Sequence, residues 1–330
     1  MAEALARGPV VLDGGLSNQL AAQGCDLPDD LWSARLLVDD PAQIVAAHAA
    51  YVRAGARVLI TASYQASYQG FARRGLGRSQ VDALLRRSVH LARQAAAEAG
   101  AEATTRAGPG GGAGPHGPGG SGVGADAGVG PGAGAGGVWV AGSVGPYGAM
   151  LADGSEYRGR YGLSVRELTE FHRPRIAALA AARPDALALE TVPDVDEAEA
   201  MLRAAEGCDV PVWLSYSVQR NRTRAGQPLE QALALVAGHD QVIAVGVNCC
   251  TPADADDAVR LAARVTGKPV VVYPNSGEEW DATAHDWRGR STFDPARVAA
   301  WRTHGARLIG GCCRVGPGHI AELALAVGDG

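Results

Sequence analysis

The chain has little of what marks a nucleic-acid or membrane protein. Its 30 Lys and Arg are outnumbered by 35 Asp and Glu, giving a formal net charge of −5. There is accordingly no basic footprint for a phosphate backbone or for anionic lipid. It lacks any run of about 18 uncharged apolar residues, which excludes a spanning helix. Met1 to Gly8 carries no basic segment leading into an apolar core, so no secretory leader is expected. Cysteine is sparse, six residues in all, and two adjacent pairs among six do not make the spacing of a disulfide framework. A chain of this size needs no such staples, and the expected setting is a reducing cytoplasm.

What is present is the composition of a globular chain, 47% hydrophobic and 20% charged over 330 residues. It breaks once, at residues 107–137, which hold 16 of the 45 glycines and four of the 18 prolines. With almost nothing to bury, that run cannot offset the entropy of ordering. It reads as a flexible, disordered insertion within a single domain spanning residues 8–326. It is too long and repetitive for a glycine-rich phosphate cradle between a strand and a helix.

On either side, short apolar runs alternate with longer amphipathic segments. The runs are Pro9–Leu12, Arg57–Thr61, Val138–Gly142, Ala186–Leu189, Val212–Ser215, Val242–Val247, Pro269–Tyr273 and Arg307–Ile309. Most are rich in Val, Ile and Leu without alternation, as in strands buried on both faces. Between them lie helical patterns. Val81, Leu84, Leu85, Val89 and Ala92 form one stripe in residues 79–99, and Ser164 with Glu167 makes a capping-box pair opening residues 164–182. Eight such units in a chain of this length fit a closed (β/α)8 TIM barrel of the α/β class. An open doubly wound sheet is the other candidate. It lacks its GxGxxG fingerprint, because Gly14-Gly15 after Leu12-Asp13 is too short.

A parallel barrel carries its chemistry at the C-terminal ends of its strands. Standing there are Asp13; Thr61 and Ser63; Ser143; Glu190 and Thr191; Ser215 and Ser217; Asn248, Cys249 and Cys250; Tyr273 and Asn275; and Cys312 with Cys313. The sixth and eighth strands flank the seventh, so their cysteines come within reach of one ion. Three thiolates can hold Zn²⁺ at about 2.3 Å and leave an open position for a soft ligand such as a substrate thiol. Gly310-Gly311 permits the sharp turn that two neighbouring ligands require. Cys249 and Cys250 compete for the third ligand position. Cys25 and Cys208 stand alone and suit the plainer role of small buried hydrophobes. Glu190 ends the run Ala-Leu-Ala-Leu, where a carboxylate is costly without a partner. That partner is either a cationic group of a substrate or a salt bridge within the barrel. Asp13 reads the same way, or as part of an Asp-Gly turn. The eight histidines have no HxxxH spacing, and none is assigned to metal.

Gly246-Val247-Asn248-Cys249 and Gly310-Gly311-Cys312-Cys313-Arg314 resemble the two zinc-binding motifs of the homocysteine S-methyltransferases. The resemblance extends to Leu12-Asp13-Gly14-Gly15, Ile60-Thr61-Ala62-Ser63-Tyr64-Gln65 and Ala141-Gly142-Ser143-Val144-Gly145-Pro146-Tyr147-Gly148. It continues through Leu151-Ala152-Asp153-Gly154-Ser155-Glu156-Tyr157, Phe171-His172-Arg173-Pro174-Arg175 and Val272-Tyr273-Pro274-Asn275-Ser276-Gly277-Glu278. It covers essentially the whole chain apart from the glycine-rich run, and is greatest to the bacterial branch that uses S-methylmethionine.

The resemblance implies a zinc-containing (β/α)8 barrel, with Zn²⁺ on Cys249, Cys312 and Cys313. It implies homocysteine recognition at Asp13 and Glu190, which would hold the substrate ammonium, with Gly14 and Thr61 or Ser63 nearby and Asn248 in or just behind the contact layer. The activity it implies is methylation of homocysteine to methionine by attack of the thiolate on the methyl of a sulfonium donor, S-methylmethionine or S-adenosylmethionine. Tyr64, Tyr147, Tyr157 and Trp280 are candidates to face that cation. Selenohomocysteine or selenocysteine as acceptor, betaine as donor, and a thiol cluster without turnover are the alternatives. No nucleic-acid or membrane partner is expected.

Overall fold

All eight apolar runs become parallel strands of one sheet in the computed structural model, which describes residues 1–27, 31–106, 137–281 and 286–328. Of the glycine-rich run 107–137, only Gly137 lies among them. The strands are β1 (Val10–Val11), β2 (Val58–Ile60), β3 (Trp139–Val144), β4 (Ala186–Val192), β5 (Val212–Tyr216), β6 (Val242–Asn248), β7 (Val270–Tyr273) and β8 (Ala306–Ile309). Their order is β1-β8-β7-β6-β5-β4-β3-β2. A parallel bridge between Leu12 and Val58 then joins the two edges. Arg57 N donates to Val11 O at 2.8 Å and Asp13 N to Val58 O at 3.0 Å across that seam. The sheet is a TIM barrel.

Strand periodicity divides the core in two. Leu12, Val58, Ala141, Ala186, Ala188, Trp213, Ala244, Val271, Tyr273 and Leu308 form one buried cluster drawn from every strand end and filling the lumen. Their sequence neighbours Val11, Leu59, Val140, Leu187, Leu214, Val245, Val272 and Ile309 pack outward in the helix layer. Alanines at four lumen positions leave room for Trp213, one of the largest fully buried side chains. A short helix, Ala2–Arg7, places Leu5 in the same cluster; its six residues are too few to show a periodic signal in sequence.

Several helices start where a side chain satisfies a free N–H group. Ser164 and Glu167 form the capping box of helix Val165–Ala181. Asp194 caps helix Val195–Ala205, and Thr251 caps Pro252–Thr266, which ends at left-handed Gly267. Two small hairpins rise from the C-terminal mouth. Val218–Gln219 pairs with Arg222–Thr223 after β5, and Glu279–Asp281 with Asp286–Arg288 after β7. Among the described residues no helix is long and apolar enough to cross a membrane.

Replacing Trp213 by Ala should empty the middle of the lumen and lower the unfolding free energy by about 3–5 kcal/mol. A urea titration reads this directly, and an unchanged midpoint would contradict the central placement of the indole.

Candidate metal centre

The loop after β7 laces the ends of β6 and β8 together. Cys312 N donates to Pro274 O at 2.8 Å, Asn275 N to Cys250 O at 2.9 Å, and Ser276 N to Cys313 O at 2.9 Å. The Asn275 side chain accepts from Cys313 N at 3.1 Å. These bonds converge three free thiols. Cys249 Sγ lies 2.7 Å from Cys312 Sγ and 3.8 Å from Cys313 Sγ, and the latter two are 4.0 Å apart. A tetrahedral site with bonds of about 2.3 Å has sulfur–sulfur edges of roughly 3.8 Å; the two separations to Cys313 match it, Cys249 and Cys312 stand closer than it, and the three clustered thiols are the donor type of a thiophilic metal ion. Among the described residues these three make the one such cluster, and no histidine joins it.

The choice between Cys249 and Cys250 is made by the fold. Cys250 is fully buried in the apolar layer, whereas Cys249 joins the cluster. Cys249 sits at φ 49°, and its neighbours Thr191 and Arg314 at 59° and 66°. Left-handed backbone at non-glycine residues is uncommon and collects at functional sites. Gly310 and Gly311, by contrast, are not left-handed. A Cβ on Gly310 would lie 2.5 Å from Leu12 Cβ, and one on Gly311 2.1 Å from the Val315 side chain. Glycine is needed there for close approach, a different reason from the sharp turn inferred from sequence.

Three thiols this close cannot all ionise unaided. Hydrogen bonds from Cys249 and Cys312 hold Cys313 well below the ordinary thiol range, and contact with Cys249 and Cys313 pushes Cys312 well above it. A bound cation would remove that conflict. Tyr157 OH points at Cys249 Sγ from 3.9 Å.

Period two also carries Ser143, Glu190, Ser215 and Tyr273 to the lumen side of their strand ends. Tyr273 OH donates to Glu190 Oε2 at 3.0 Å, and accepts from Trp213 Nε1 at 3.2 Å and Ser215 at 2.7 Å. Ser143 Oγ donates to the other Glu190 oxygen. Even so, burial pushes Glu190 up to about 7, and the nearby Cys249 adds to the rise. Asp13 accepts from Ile60 N at 2.9 Å through Oδ2, while its buried Oδ1 has no partner. Burial drives Asp13 well above the usual carboxylate range, and Glu190 adds to it. His48 lies 4.0 Å from Asp13 Oδ2, but burial pulls it down to about 4, leaving it neutral. Among the described residues neither carboxylate meets a Lys or Arg, so the in-barrel salt bridge considered from sequence is not formed.

The remaining sequence candidates are knit into the frame. Thr61 Oγ1 and Ser63 Oγ lie 2.8 Å apart; Thr61 Oγ1 accepts from Ser143 N at 2.9 Å, and Ser63 Oγ donates to Ser143 O at 2.8 Å. Asn248 exchanges two 2.7 Å bonds with Thr191, tying β6 to β4. Gly14 sits beside Asp13, where a Cβ would come within 2.2 Å of Val315 O. Two further contributors lie in segments that carry the family resemblance, which assigns them no role. Arg175, fully buried, donates to the carbonyls of Tyr64 at 2.7 Å, Gly145 at 3.0 Å and Ser63 at 3.3 Å, bracing the loops after β2 and β3. Glu156 keeps a buried oxygen without a partner beside Tyr157, and burial raises it to about 7. Nothing in their spacing marks either.

Comparison with known proteins fits this geometry. The family model described as homocysteine S-methyltransferase matches residues 10–327. The chain belongs to that family. Homocysteine S-methyltransferase of Escherichia coli is 42% identical over 320 residues, covering 95% of this chain and 94% of the relative. A selenocysteine methyltransferase of Astragalus bisulcatus is 37% identical over 332 residues, covering 97% and 93%. Among solved structures, the metallated form of the Escherichia coli homocysteine methyltransferase MmuM superposes with a TM-score of 0.78 at 40% identity, covering 96% of both chains. This homocysteine S-methyltransferase-family chain therefore has the barrel of its relatives, and its cysteine cluster can hold a metal.

Two outcomes follow from the site. Cys312→Ala and Cys313→Ala should each lose bound metal in elemental analysis, while Cys25→Ala retains it; equal metal in all three would sink the cluster as its holder. Glu190 holds its proton in the folded chain up to about pH 7, whereas an unfolded glutamate releases it near 4.3. Its effect on stability therefore worsens as pH rises through that window, by roughly 4 kcal/mol at most. Glu190→Gln should flatten the pH dependence of the melting temperature there, and parallel curves would count against it.

Proposed function

We propose that this methyltransferase converts homocysteine to methionine, taking the methyl from S-methylmethionine or S-adenosylmethionine, with Zn²⁺ on Cys249, Cys312 and Cys313. The observation that carries this reading is the pairing of a three-sulfur centre with two buried carboxylates that lack a cation, all within electrostatic reach of one another. A molecule with a thiol at one end and an ammonium at the other matches both. A cysteine-bound Zn²⁺ supplies Lewis acidity that lowers the acceptor thiol's pKa from its ordinary value near 8.5.

The chain's own residues do the rest. Asp13 Oδ1, left open while Ile60 N–H fixes Oδ2, takes the ammonium together with Glu190, which Ser143 and Tyr273 orient. Gly14 keeps the loop beside Asp13 close-packed, and Thr61, Ser63 and Asn248 hold the strand ends that frame the acceptor. The thiolate sulfur forms a bond to the methyl as the donor's sulfur–methyl bond breaks. The electron pair of that bond stays on the donor sulfur, which becomes a neutral thioether. No proton moves in this step, so no general base is needed. Burial of Asp13 and Glu190 strengthens their hold on the ammonium and orients the acceptor. A selenol acceptor would meet the same soft centre, and the selenocysteine methyltransferase relative favours testing one. The reducing cytoplasm is the setting in which three free thiols persist.

Protein with its metal assayed should form methionine from homocysteine with one of the two sulfonium donors, lose the activity on chelation, and regain it with Zn²⁺. Asp13→Asn and Glu190→Gln should each raise the homocysteine KM about tenfold or more, as expected for a lost charged hydrogen bond. Turnover of selenocysteine but not homocysteine would move the acceptor and keep the metal; turnover of neither would overturn the reading.

A further inference from the structure

Arg224, at the barrel mouth, meets no carboxylate among the described residues. Arg224 follows the hairpin of Val218–Gln219 and Arg222–Thr223 that rises from β5. It is fixed at one end. Its backbone N–H donates to Ser217 O at 3.2 Å, and its Nε–H donates to Ser217 Oγ at 3.3 Å. Ser217, fully buried, in turn donates from Oγ to the carbonyl of Cys249 at 3.3 Å. The hairpin itself is anchored where Arg220 N–H meets Asp254 at 2.7 Å. The guanidinium then lies over the ring of Tyr157, 5.4 Å from its centroid, and the phenol of that same residue reaches Cys249 Sγ. Among the described residues the two Nη groups meet no acceptor. Arg158 pairs with Asp153 and Arg314 with Glu278, while Arg220 and Arg222 of the hairpin are exposed to solvent.

A guanidinium held by its Nε edge, stacked on an aromatic ring and open along its fork is arranged for a carboxylate. Two amino-acid substrates meet at this centre in the reaction proposed above, on which this inference rests. Asp13 and Glu190 are buried, whereas Arg224 is half-exposed at the rim, the side open to a second molecule. We infer that Arg224 binds the carboxylate of the methyl donor, making it a specificity residue for amino-acid sulfonium compounds over sulfonium compounds without a carboxylate. The order of groups suits the chemistry: Tyr157 touches both the Arg224 guanidinium and Cys249 Sγ, and a short aliphatic chain separates sulfonium from carboxylate in such a donor.

The test pairs two proteins with two donors, S-methylmethionine and its carboxamide, reading both titration calorimetry and steady-state kinetics. Arg224→Ala should weaken S-methylmethionine about tenfold or more, as for a charged hydrogen bond, and leave the carboxamide and the homocysteine KM within about twofold. Arg224→Lys should recover part of the loss. Equal losses for both donors, no loss for either, or a change confined to the homocysteine KM would overturn the assignment. Should the wild type bind S-methylmethionine but form no methionine, the proposed reaction fails, while the affinity ratio still decides Arg224. If it binds neither donor, the assignment falls as well.

Discussion

The mouth of this barrel depends on the lacing of three strand ends. Backbone bonds from the Pro274–Ser276 loop to Cys250, Cys312 and Cys313 hold β6, β7 and β8 at fixed offsets. That brings three ionisable sulfurs within 4.0 Å of one another. Such an arrangement is unfavourable on its own, since adjacent thiolates repel in a site of low dielectric. The close approach enforced by Gly310 and Gly311 and the left-handed turn at Cys249 show a frame that over-determines the placement of these groups.

The same logic governs the carboxylates. Among the described residues Asp13 and Glu190 are removed from water with hydrogen-bond donors but without a Lys or Arg, so ionising either is costly until a positive group enters. Trp213, Tyr273 and Ser215 form a polar relay above an otherwise apolar lumen, and that relay fixes Glu190 without neutralising it. The three-sulfur centre and the two carboxylates thus share one principle: buried polar groups left one partner short favour a ligand that completes them.

Much of the frame was legible in the chain. Doubly buried strands read as unbroken Val, Ile and Leu runs, and each run became a strand because no competing periodicity exists at those positions. The Ser164–Glu167 box formed as written because capping is a local interaction. Helix Ala2–Arg7 escaped notice because its short length gives no period. Arg175 and Arg224 escaped for another reason: their partners are carbonyls and a ring brought near only by folding.

The sequence by itself determined the alternation that closes a barrel, the residue types at its strand ends, and the motifs that mark the family, because each is a matter of local order and spacing. Apart from the family resemblance, which pointed to Cys249, strand-end order left Cys249 and Cys250 open, and the packed sheet shows Cys249 facing its fellow thiols, since adjacent residues of a strand end point to opposite sides. Tertiary structure alone decided that Asp13 and Glu190 are left without a salt bridge, and that Thr61, Ser63 and Asn248 use their side chains on neighbouring strands. Those outcomes rest on contacts between residues far apart in sequence, from Asp13 and Ile60, 47 apart, to Glu190 and Tyr273, 83 apart, which no window along the chain contains.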